Sequence, residues 1–172
     1  TAELSFTDVK VPEENLIGEE GMGFIYLMQN LPQERLSIAI MAAAAMEAVL
    51  DETLQYVKER KAFGKPIGSF QNSRFLLAEL ATEATAVRIM TDEFIRLHLD
   101  EKLTADQAAM AKWWTTEAEV KLIDRCLQLH GGYGYMRSLR VERLMRDAKI
   151  TQIWEGTNQI HRQLIGRSLI TR

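Results

Sequence analysis

The chain has 172 residues, of which 47% are hydrophobic and 26% are charged, and its net charge is −3. This is the composition of an ordinary globular domain, and the weak negative charge gives no reason to expect nucleic acid or an anionic membrane as a partner. The single cysteine, Cys126, excludes an internal disulfide, and no uncharged run approaches the ~20 residues that a membrane span needs. Because the chain begins at Thr1 without a methionine or a targeting segment, we expect it to be a piece of a longer protein.

The first residues have the alternating pattern of a half-buried β-strand. Leu4 and Phe6 alternate with polar neighbours within residues 2–11, and Pro12 then breaks the pattern. A lone strand has no sheet to join in this chain. We therefore expect residues 1–20 to be a strand remnant and linker from another domain, and residues 21–172 to form the main domain.

A long helix is predicted between Gly23 and Arg60, with an interruption or kink at Pro32. Alanine and methionine dominate its middle, so its apolar face is wide and its side chains are small, which predicts packing on more than one side. Glu34 and Arg35 stand in its first half, and such a pair most often lies on the surface. The basic segment 58–65 fits a solvated helix end whose cations complement the helix dipole.

Two further helices have continuous apolar seams, as helices of a bundle do. The second is expected to be capped by Ser69, and its seam consists of Leu77, Leu80, Ala84, Val87, Thr91, Phe94 and His98. The third begins at a capping box, Thr104–Gln107, and its seam consists of Ala109, Trp113, Thr116, Val120, Ile123 and Leu127. It ends at the pair Gly131 and Gly132, which fits a tight C-cap or a close approach to phosphate.

The most informative stretch is residues 146–162, where a short loop separates two amphipathic runs. The loop contains Glu155 between Trp154 and Gly156. A carboxylate beside a large apolar ring is poorly solvated, which raises its pKa and makes it a stronger base. The alternative is a solvated glutamate in a plain helix–loop–helix turn. Thr157 can cap the helix that follows.

The predicted fold is all-α: an up–down four-helix bundle with a shorter C-terminal helix pair, preceded by the short strand remnant. The sequence contains no metal-ligand cluster and no nucleophile–base arrangement.

Four ordered motifs resemble the acyl-CoA dehydrogenase family, whose members are flavoproteins that desaturate acyl thioesters between Cα and Cβ. They are QERLSIA at 33–39, ERKAFGKPIGSFQ at 59–71, QLHGGYGYM at 128–136, and LMRDAKI followed by WEGTNQIHR at 144–162. Their order and spacing match the family over essentially the whole chain. This resemblance implies the family's C-terminal helical domain, preceded by the end of its middle β-domain.

The resemblance implies that Glu155 removes the α-proton while the β-hydrogen passes as hydride to FAD. Glu34 matches a position where long-chain and isovaleryl-type members carry their base instead. The implied substrate contacts are Glu34, Arg35, Trp154 and Gly156. The thioester carbonyl would be polarised by the backbone N–H of Glu155 and by a ribityl hydroxyl of FAD.

The resemblance also implies two sets of cofactor contacts. FAD of a neighbouring subunit would contact Arg60, Lys61, Ala62, Phe63, Phe70, Gln71, Gln128, Leu129, His130, Gly131 and Gly132. FAD of the same subunit would contact Thr157 and Gln159. Ala62 stands where some members have threonine, so a hydroxyl contact is absent there.

The implied partners are an acyl-CoA substrate and an electron-transferring flavoprotein that accepts the electrons. The family assembles as a homotetramer, a dimer of dimers, and takes part in fatty acid β-oxidation in the bacterial cytoplasm or the mitochondrial matrix. We expect the 172 residues alone to lack turnover, because the flavin would lie between the middle domain and this bundle. The alternatives are a helical oligomerisation module without activity and an acyl-CoA oxidase.

Overall fold

The computed structural model describes residues 2–171, which divide into a unit ending at Asn30 and a unit beginning at Leu31. The all-α prediction is confirmed, with three long helices and a shorter C-terminal pair. The helices are α1 Gly23–Glu59, α2 Gln71–Leu99, α3 Ala105–His130, α4 Arg140–Thr151 and α5 Asn158–Thr171. A small antiparallel hairpin follows α1, with strands β1 Lys61–Ala62 and β2 Lys65–Pro66. Within residues 2–171, no helix is both long and apolar enough to cross a bilayer.

The predicted strand over residues 2–11 is not formed. Leu4 and Phe6 are 79% and 78% exposed, so their alternation packs against nothing in this unit. A strand needs a neighbouring strand to satisfy its backbone groups, and the chain supplies none here. Within this unit, Gly18 lies against the Tyr26 ring. Gly18 has a φ of +74°, and a Cβ there would lie 2.6 Å from the ring, so only glycine fits.

Of the two outcomes predicted at Pro32, an interruption or a kink, the interruption does not occur, because α1 continues through Pro32 to Glu59. A proline removes the hydrogen bond to the carbonyl four residues earlier, here that of Met28.

The core lies between the three long helices and is closed by α4. Met46 of α1, Leu80 of α2 and Leu122 of α3 are fully buried within it, and Val141 and Ala148 of α4 join them. Helix α3 is central, since it packs against α2, α4 and α5. The predicted wide face of α1 and the middle of both predicted seams therefore correspond to buried positions.

The predicted capping box of α3 is confirmed. The Gln107 backbone N–H donates to Thr104 Oγ1 at 3.2 Å, and the Thr104 N–H donates to Gln107 Oε1 at 2.9 Å. The prediction for Ser69 is wrong: α2 begins at Gln71, and the Ser69 hydroxyl donates to the Pro66 carbonyl at 2.7 Å instead. A serine hydroxyl can close a local turn as well as cap a helix, and here the turn is nearer.

The hairpin after α1 was not predicted. Its turn residues Phe63 and Gly64 have φ of +52° and +79°, as a two-residue hairpin turn requires. Two-residue turns of this kind usually have glycine, asparagine or aspartate at both positions. Here only Gly64 fits that pattern, so the sequence did not indicate a hairpin. The side chain of Phe63 is 96% exposed, which makes this turn both strained and apolar.

Replacing Leu80 by alanine is expected to destabilise the fold by about 2–5 kcal/mol, because it leaves a cavity in a fully buried site. Chemical denaturation followed by circular dichroism measures the change. Leu99→Ala on the same helix is the control, since Leu99 is 76% exposed and its loss is expected to be small. Equal losses for the two variants would contradict the packing described here.

Candidate active site

Helix α1 and the loop between α4 and α5 border an open pocket of about 360 Å³. It is lined by Glu34, Ser37, Ile38, Met41, Trp154 and Glu155. A second pocket of about 400 Å³ shares Met41 and Trp154 with the first and extends between α1, α3 and α4. The predicted residues Glu34, Trp154 and Glu155, which lie far apart in sequence, therefore meet at one surface.

The loop that carries Glu155 has an unusual backbone. Glu155 has a φ of +51° and Gly156 a φ of +92°, and the Asn158 N–H closes the loop on the Gln152 carbonyl at 3.0 Å. A left-handed conformation costs a residue other than glycine roughly 1–2 kcal/mol, so surrounding contacts must hold it. Thr157 lies before α5 and accepts the Ile160 N–H at 3.5 Å, a long capping contact.

The two glutamates line the same pocket, and Glu34 affects the ionisation of Glu155. The pKa of Glu155 is raised, first by a hydrogen bond with the Glu34 side chain and then by partial burial and the charge of Glu34. The expected cause, desolvation by Trp154, is thus secondary, because the Glu155 side chain is exposed in this chain. Two carboxylates that share a site favour one proton between them, which raises the pKa of one.

Arg35 lies beside the carboxylate pair as a buried cation. Its side chain is 8% exposed, and its Nε has no hydrogen-bond partner among residues 2–171. Burial lowers the pKa of Arg35, whereas Glu155 and Glu34 oppose this shift through their charges. A guanidinium stays protonated in proteins, so Arg35 supplies positive charge next to both carboxylates.

Lys112 was not among the predicted site residues, yet it lies directly behind the loop. Its side chain is fully buried, and its Nζ donates to the Gly156 carbonyl at 2.9 Å and to Asn158 Oδ1 at 3.0 Å. Asn158 in turn donates to Thr116 Oγ1 at 3.0 Å and to Glu117 Oε1 at 2.9 Å. The only sequence signal was a lysine within the apolar run AAMAKWW at 108–114.

His161 of α5 completes this buried group. It is fully buried, and neither ring nitrogen has a hydrogen-bond partner within the described residues. Burial, with the charges of Lys112 and Arg35, lowers the pKa of His161 to about 4. The ring is therefore neutral at neutral pH and does not add to the positive charge behind the loop.

A second buried carboxyl, Glu119, lines the larger pocket. It is 3% exposed and accepts the Thr151 hydroxyl at 2.9 Å. Burial raises the pKa of Glu119 to about 7, although the hydrogen bond from Thr151 opposes this. Sequence patterning did not indicate this residue, since α3 carries acidic residues on its exposed side as well.

Glu119 makes the stability of the fold depend on pH. Its pKa is about 7 in the folded chain against an ordinary value of 4.5, so the folded state binds more protons between these values. The contribution of Glu119 to the stability of the fold is thus fully present below about pH 4.5 and is lost as the pH rises to about 7. Glutamine cannot ionise, so above about pH 7 Glu119→Gln should have a higher free energy of unfolding than the unmodified protein, by on the order of 3 kcal/mol at most. Its unfolding temperature should rise accordingly.

Thermal unfolding over this pH range measures the effect, with the exposed Glu101→Gln as the matched control. The advantage of Glu119→Gln should vanish at acidic pH, where Glu119 is protonated in both states. A difference that is constant with pH would contradict a neutral carboxyl at this position.

The two stretches predicted to contact a neighbouring subunit's FAD lie side by side where α1 and α3 end. The Arg60 guanidinium lies over the Tyr133 ring at 5.4 Å, and the Tyr56 ring stacks on His130 with centroids 4.2 Å apart. The Tyr56 hydroxyl donates to the His130 carbonyl at 3.3 Å. Residues 59–71 and 128–132 therefore form one surface, which we call the hairpin–glycine surface.

The chemistry of the hairpin–glycine surface fits an anionic dinucleotide. Arg60 and Lys61 are exposed cations, and Phe63 is an exposed aromatic ring. A Cβ added at Gly131 or Gly132 would meet no atom within 4 Å, so their backbone is open to a partner. The remaining predicted residues of this surface are also accessible in part, with Ala62, Phe70 and Leu129 half-buried and Gln71 and Gln128 exposed.

His130 differs from its neighbours on this surface. Its ring is buried against Tyr56, and Nδ1 lies 2.8 Å from the Cys126 carbonyl. These contacts pack the His130 ring between α1 and α3.

The residues predicted for the other cofactor contact, Thr157 and Gln159, lie near the first half of α3, away from the end of α3 at His130. They adjoin the loop that Lys112 contacts, and Lys112 and His130 are about 27 Å apart along α3 because a helix rises 1.5 Å per residue. The two predicted sets of cofactor residues are thus separate surfaces of one chain.

Known proteins resemble this chain in sequence and in fold. A family model described as "Acyl-CoA dehydrogenase, C-terminal domain" matches residues 21–170. The mitochondrial long-chain specific acyl-CoA dehydrogenase of Mus musculus is 44% identical over 171 residues, which are 99% of this chain and 40% of that protein. The crystal structure of an acyl-CoA dehydrogenase from Geobacillus kaustophilus matches with a TM-score of 0.91 and 46% identity, over 95% of this chain and 43% of that chain.

A further solved structure is that of an acyl-CoA dehydrogenase complexed with FAD from Bacillus anthracis. It matches with a TM-score of 0.87 and 26% identity, over 94% of this chain and 31% of that chain. This chain spans about two fifths of the length of the mouse and Geobacillus proteins. With its helical bundle, its ordered motifs and a family model that covers nearly all of it, the chain belongs to the acyl-CoA dehydrogenase family, whose C-terminal domain it matches.

Proposed function

We propose that the protein carrying this chain is an FAD-dependent acyl-CoA dehydrogenase in which Glu155 is the catalytic base. The observation that carries this proposal is the pocket that Glu155 and Glu34 line together with Trp154, Ile38 and Met41. An apolar pocket with a carboxylate of raised pKa at its mouth suits an acyl chain whose α-carbon must lose a proton.

In the proposed reaction, the Glu155 carboxylate takes the α-proton of the acyl thioester. Negative charge then develops on the thioester oxygen, and the Glu155 backbone N–H is proposed to stabilise it. Within residues 2–171 this N–H donates no hydrogen bond, so it is available to the substrate. The positive charges of Arg35 and Lys112 oppose the rise in the pKa of Glu155 and so favour its ionised form.

FAD, when bound, supplies the chemistry that accepts the β-hydrogen with its electron pair. Thr157 and Gln159 are proposed to hold the FAD of the same subunit, beside the base. The hairpin–glycine surface is proposed to hold the FAD of a partner subunit, which agrees with the separation of about 27 Å along α3. The complete sites would therefore require a homo-oligomer, and an electron-transferring flavoprotein would receive the electrons.

The test uses the native protein that carries this chain, loaded with FAD. Under anaerobic conditions, a saturated acyl-CoA is expected to bleach the flavin absorbance and yield the 2,3-unsaturated thioester, whereas the free fatty acid is not. Stopped-flow absorbance and mass spectrometry of the product follow both events. A flavin that stays oxidised with acyl-CoA of every chain length would refute the proposal, and rapid reoxidation by oxygen would indicate an oxidase instead.

A further inference from the structure

Lys112 is an unusual residue for the interior of a helical bundle. Burying an ammonium is unfavourable unless hydrogen bonds and opposite charges compensate, and an unbranched apolar side chain would fill the same space without that cost. Both hydrogen bonds from Lys112 Nζ leave its own helix: one reaches the Gly156 carbonyl and the other the first residue of α5, Asn158. The ammonium thus connects α3 to both ends of the segment that follows Glu155.

The backbone next to Glu155 needs such a connection. Glu155 and Gly156 both have positive φ, and the Asn158 N–H to the Gln152 carbonyl is the backbone bond that closes the loop. Lys112 binds the Gly156 carbonyl on the buried side, and the His161 ring lies against Gly156, where an added Cβ would be 3.4 Å from Cε1. These contacts restrict where the Glu155 carboxylate and its N–H can point.

Charges face Lys112 from every element around it. Arg35 of α1 repels the ammonium, whereas Glu155 of the loop and Glu117 of α3 attract it, and His161 of α5 is neutral. Burial is the main cause that lowers the pKa of Lys112 to about 8, and Arg35 adds to it, whereas Glu155 and Glu117 oppose the shift. In the reverse direction, the positive charge of Lys112 lowers the pKa of Glu155.

We propose that Lys112 is a positioning residue for the base: its ammonium fixes the Gly156 carbonyl and thereby holds Glu155 in its strained backbone conformation, with its charge directed at the carboxylate. This inference rests on the proposed function of Glu155. A purely structural lysine would affect only the stability of the fold. Lys112 would affect both the position of the base and its ionisation.

The test compares Lys112→Met with Lys112→Arg in the native FAD-loaded protein. Methionine keeps the length and loses the charge and the donors, whereas arginine keeps the charge but cannot place its donors at the same point. The control is Lys121→Met on the same helix, because Lys121 is exposed and pairs with Glu83 at 3.0 Å, outside the pocket. If Lys112→Met does not fold, Lys112→Gln takes its place with the same expectations.

The first readout is hydrogen exchange of the peptide that covers residues 152–158. Lys112→Met is expected to exchange these amides about tenfold faster or more, with no change in the core of α2. The second is steady-state kinetics, in which kcat is expected to fall about 100-fold while KM changes by less than about threefold. The third is the pH dependence of kcat/KM, whose acidic limb should move to higher pH in Lys112→Met and stay in place in Lys112→Arg.

The direction of the third effect follows from charge. Removing a cation that stabilises the ionised carboxylate raises the pKa of Glu155, so the base becomes active only at higher pH. Lys121→Met should behave as the unmodified protein in all three measurements. A folded Lys112→Met protein with unchanged exchange over residues 152–158, or with an unchanged acidic limb, would overturn the inference.

Failure of the proposed function gives a different pattern. If the native protein does not oxidise acyl-CoA at all, the kinetic readouts disappear for every variant, but the exchange of residues 152–158 still decides whether Lys112 holds the loop. If acyl-CoA oxidation depends on Glu155 and is indifferent to Lys112, the inference fails alone.

Discussion

Glu155→Gln is expected to lower acyl-CoA turnover by about 10²- to 10⁴-fold, because a positioned general base contributes a factor of this size. Glutamine is nearly isosteric and keeps the loop, so acyl-CoA should still bind and perturb the flavin spectrum. Dye reduction measures turnover, and a spectral titration measures binding. The exposed Glu101→Gln is the matched control, and its turnover should equal that of the unmodified protein.

The same experiment distinguishes the two glutamates of the pocket. One α-proton needs one base, and we expect it to be Glu155, whose own N–H is proposed to polarise the thioester. Glu34→Gln should retain most of the turnover, since it leaves Glu155 in place and removes the neighbouring carboxylate whose charge raises the pKa of Glu155. If Glu34→Gln is the inactive variant and Glu155→Gln the active one, the base is Glu34, as in the isovaleryl-type members of the family.

Arg60→Ala is expected to weaken FAD retention by about 10- to 150-fold while acyl-CoA affinity stays nearly constant. A charged hydrogen bond contributes roughly 1.5–3 kcal/mol, and each 1.4 kcal/mol is a factor of ten in the dissociation constant. Arg60 lies on the hairpin–glycine surface, away from the loop that carries Glu155. Equilibrium dialysis of FAD and a titration with acyl-CoA measure the two affinities separately.

Arg96→Ala is the control for this prediction, because Arg96 is engaged with Glu93 and Asp100 at the end of α2. Its loss should leave FAD retention intact. Unchanged FAD affinity in Arg60→Ala, together with impaired acyl-CoA binding, would show that the hairpin–glycine surface serves the substrate and not the cofactor.

Local patterns in the sequence were sufficient for the helices. The seams through Leu80, Val87 and Ile123 and the capping box at Thr104 are properties of residues three or four positions apart, so a single helix expresses them. The ordered motifs were also sufficient to identify the family, and they pointed to the loop around Glu155. Local patterns failed for residues 2–11, where a strand needs a neighbouring strand from elsewhere, and for the hairpin, whose turn includes a strained Phe63.

The chemistry around Glu155 was decided by the tertiary structure. The sequence assigned its raised pKa to Trp154, which is adjacent in the chain, whereas the main cause is Glu34, 121 positions away on α1. Lys112, Asn158 and Glu119 carry no periodic signal, since a buried charge is recognised only through the partners that surround it. Electrostatic interactions act through space, over distances set by how α1, α3 and the loop pack, and a linear pattern does not contain those distances.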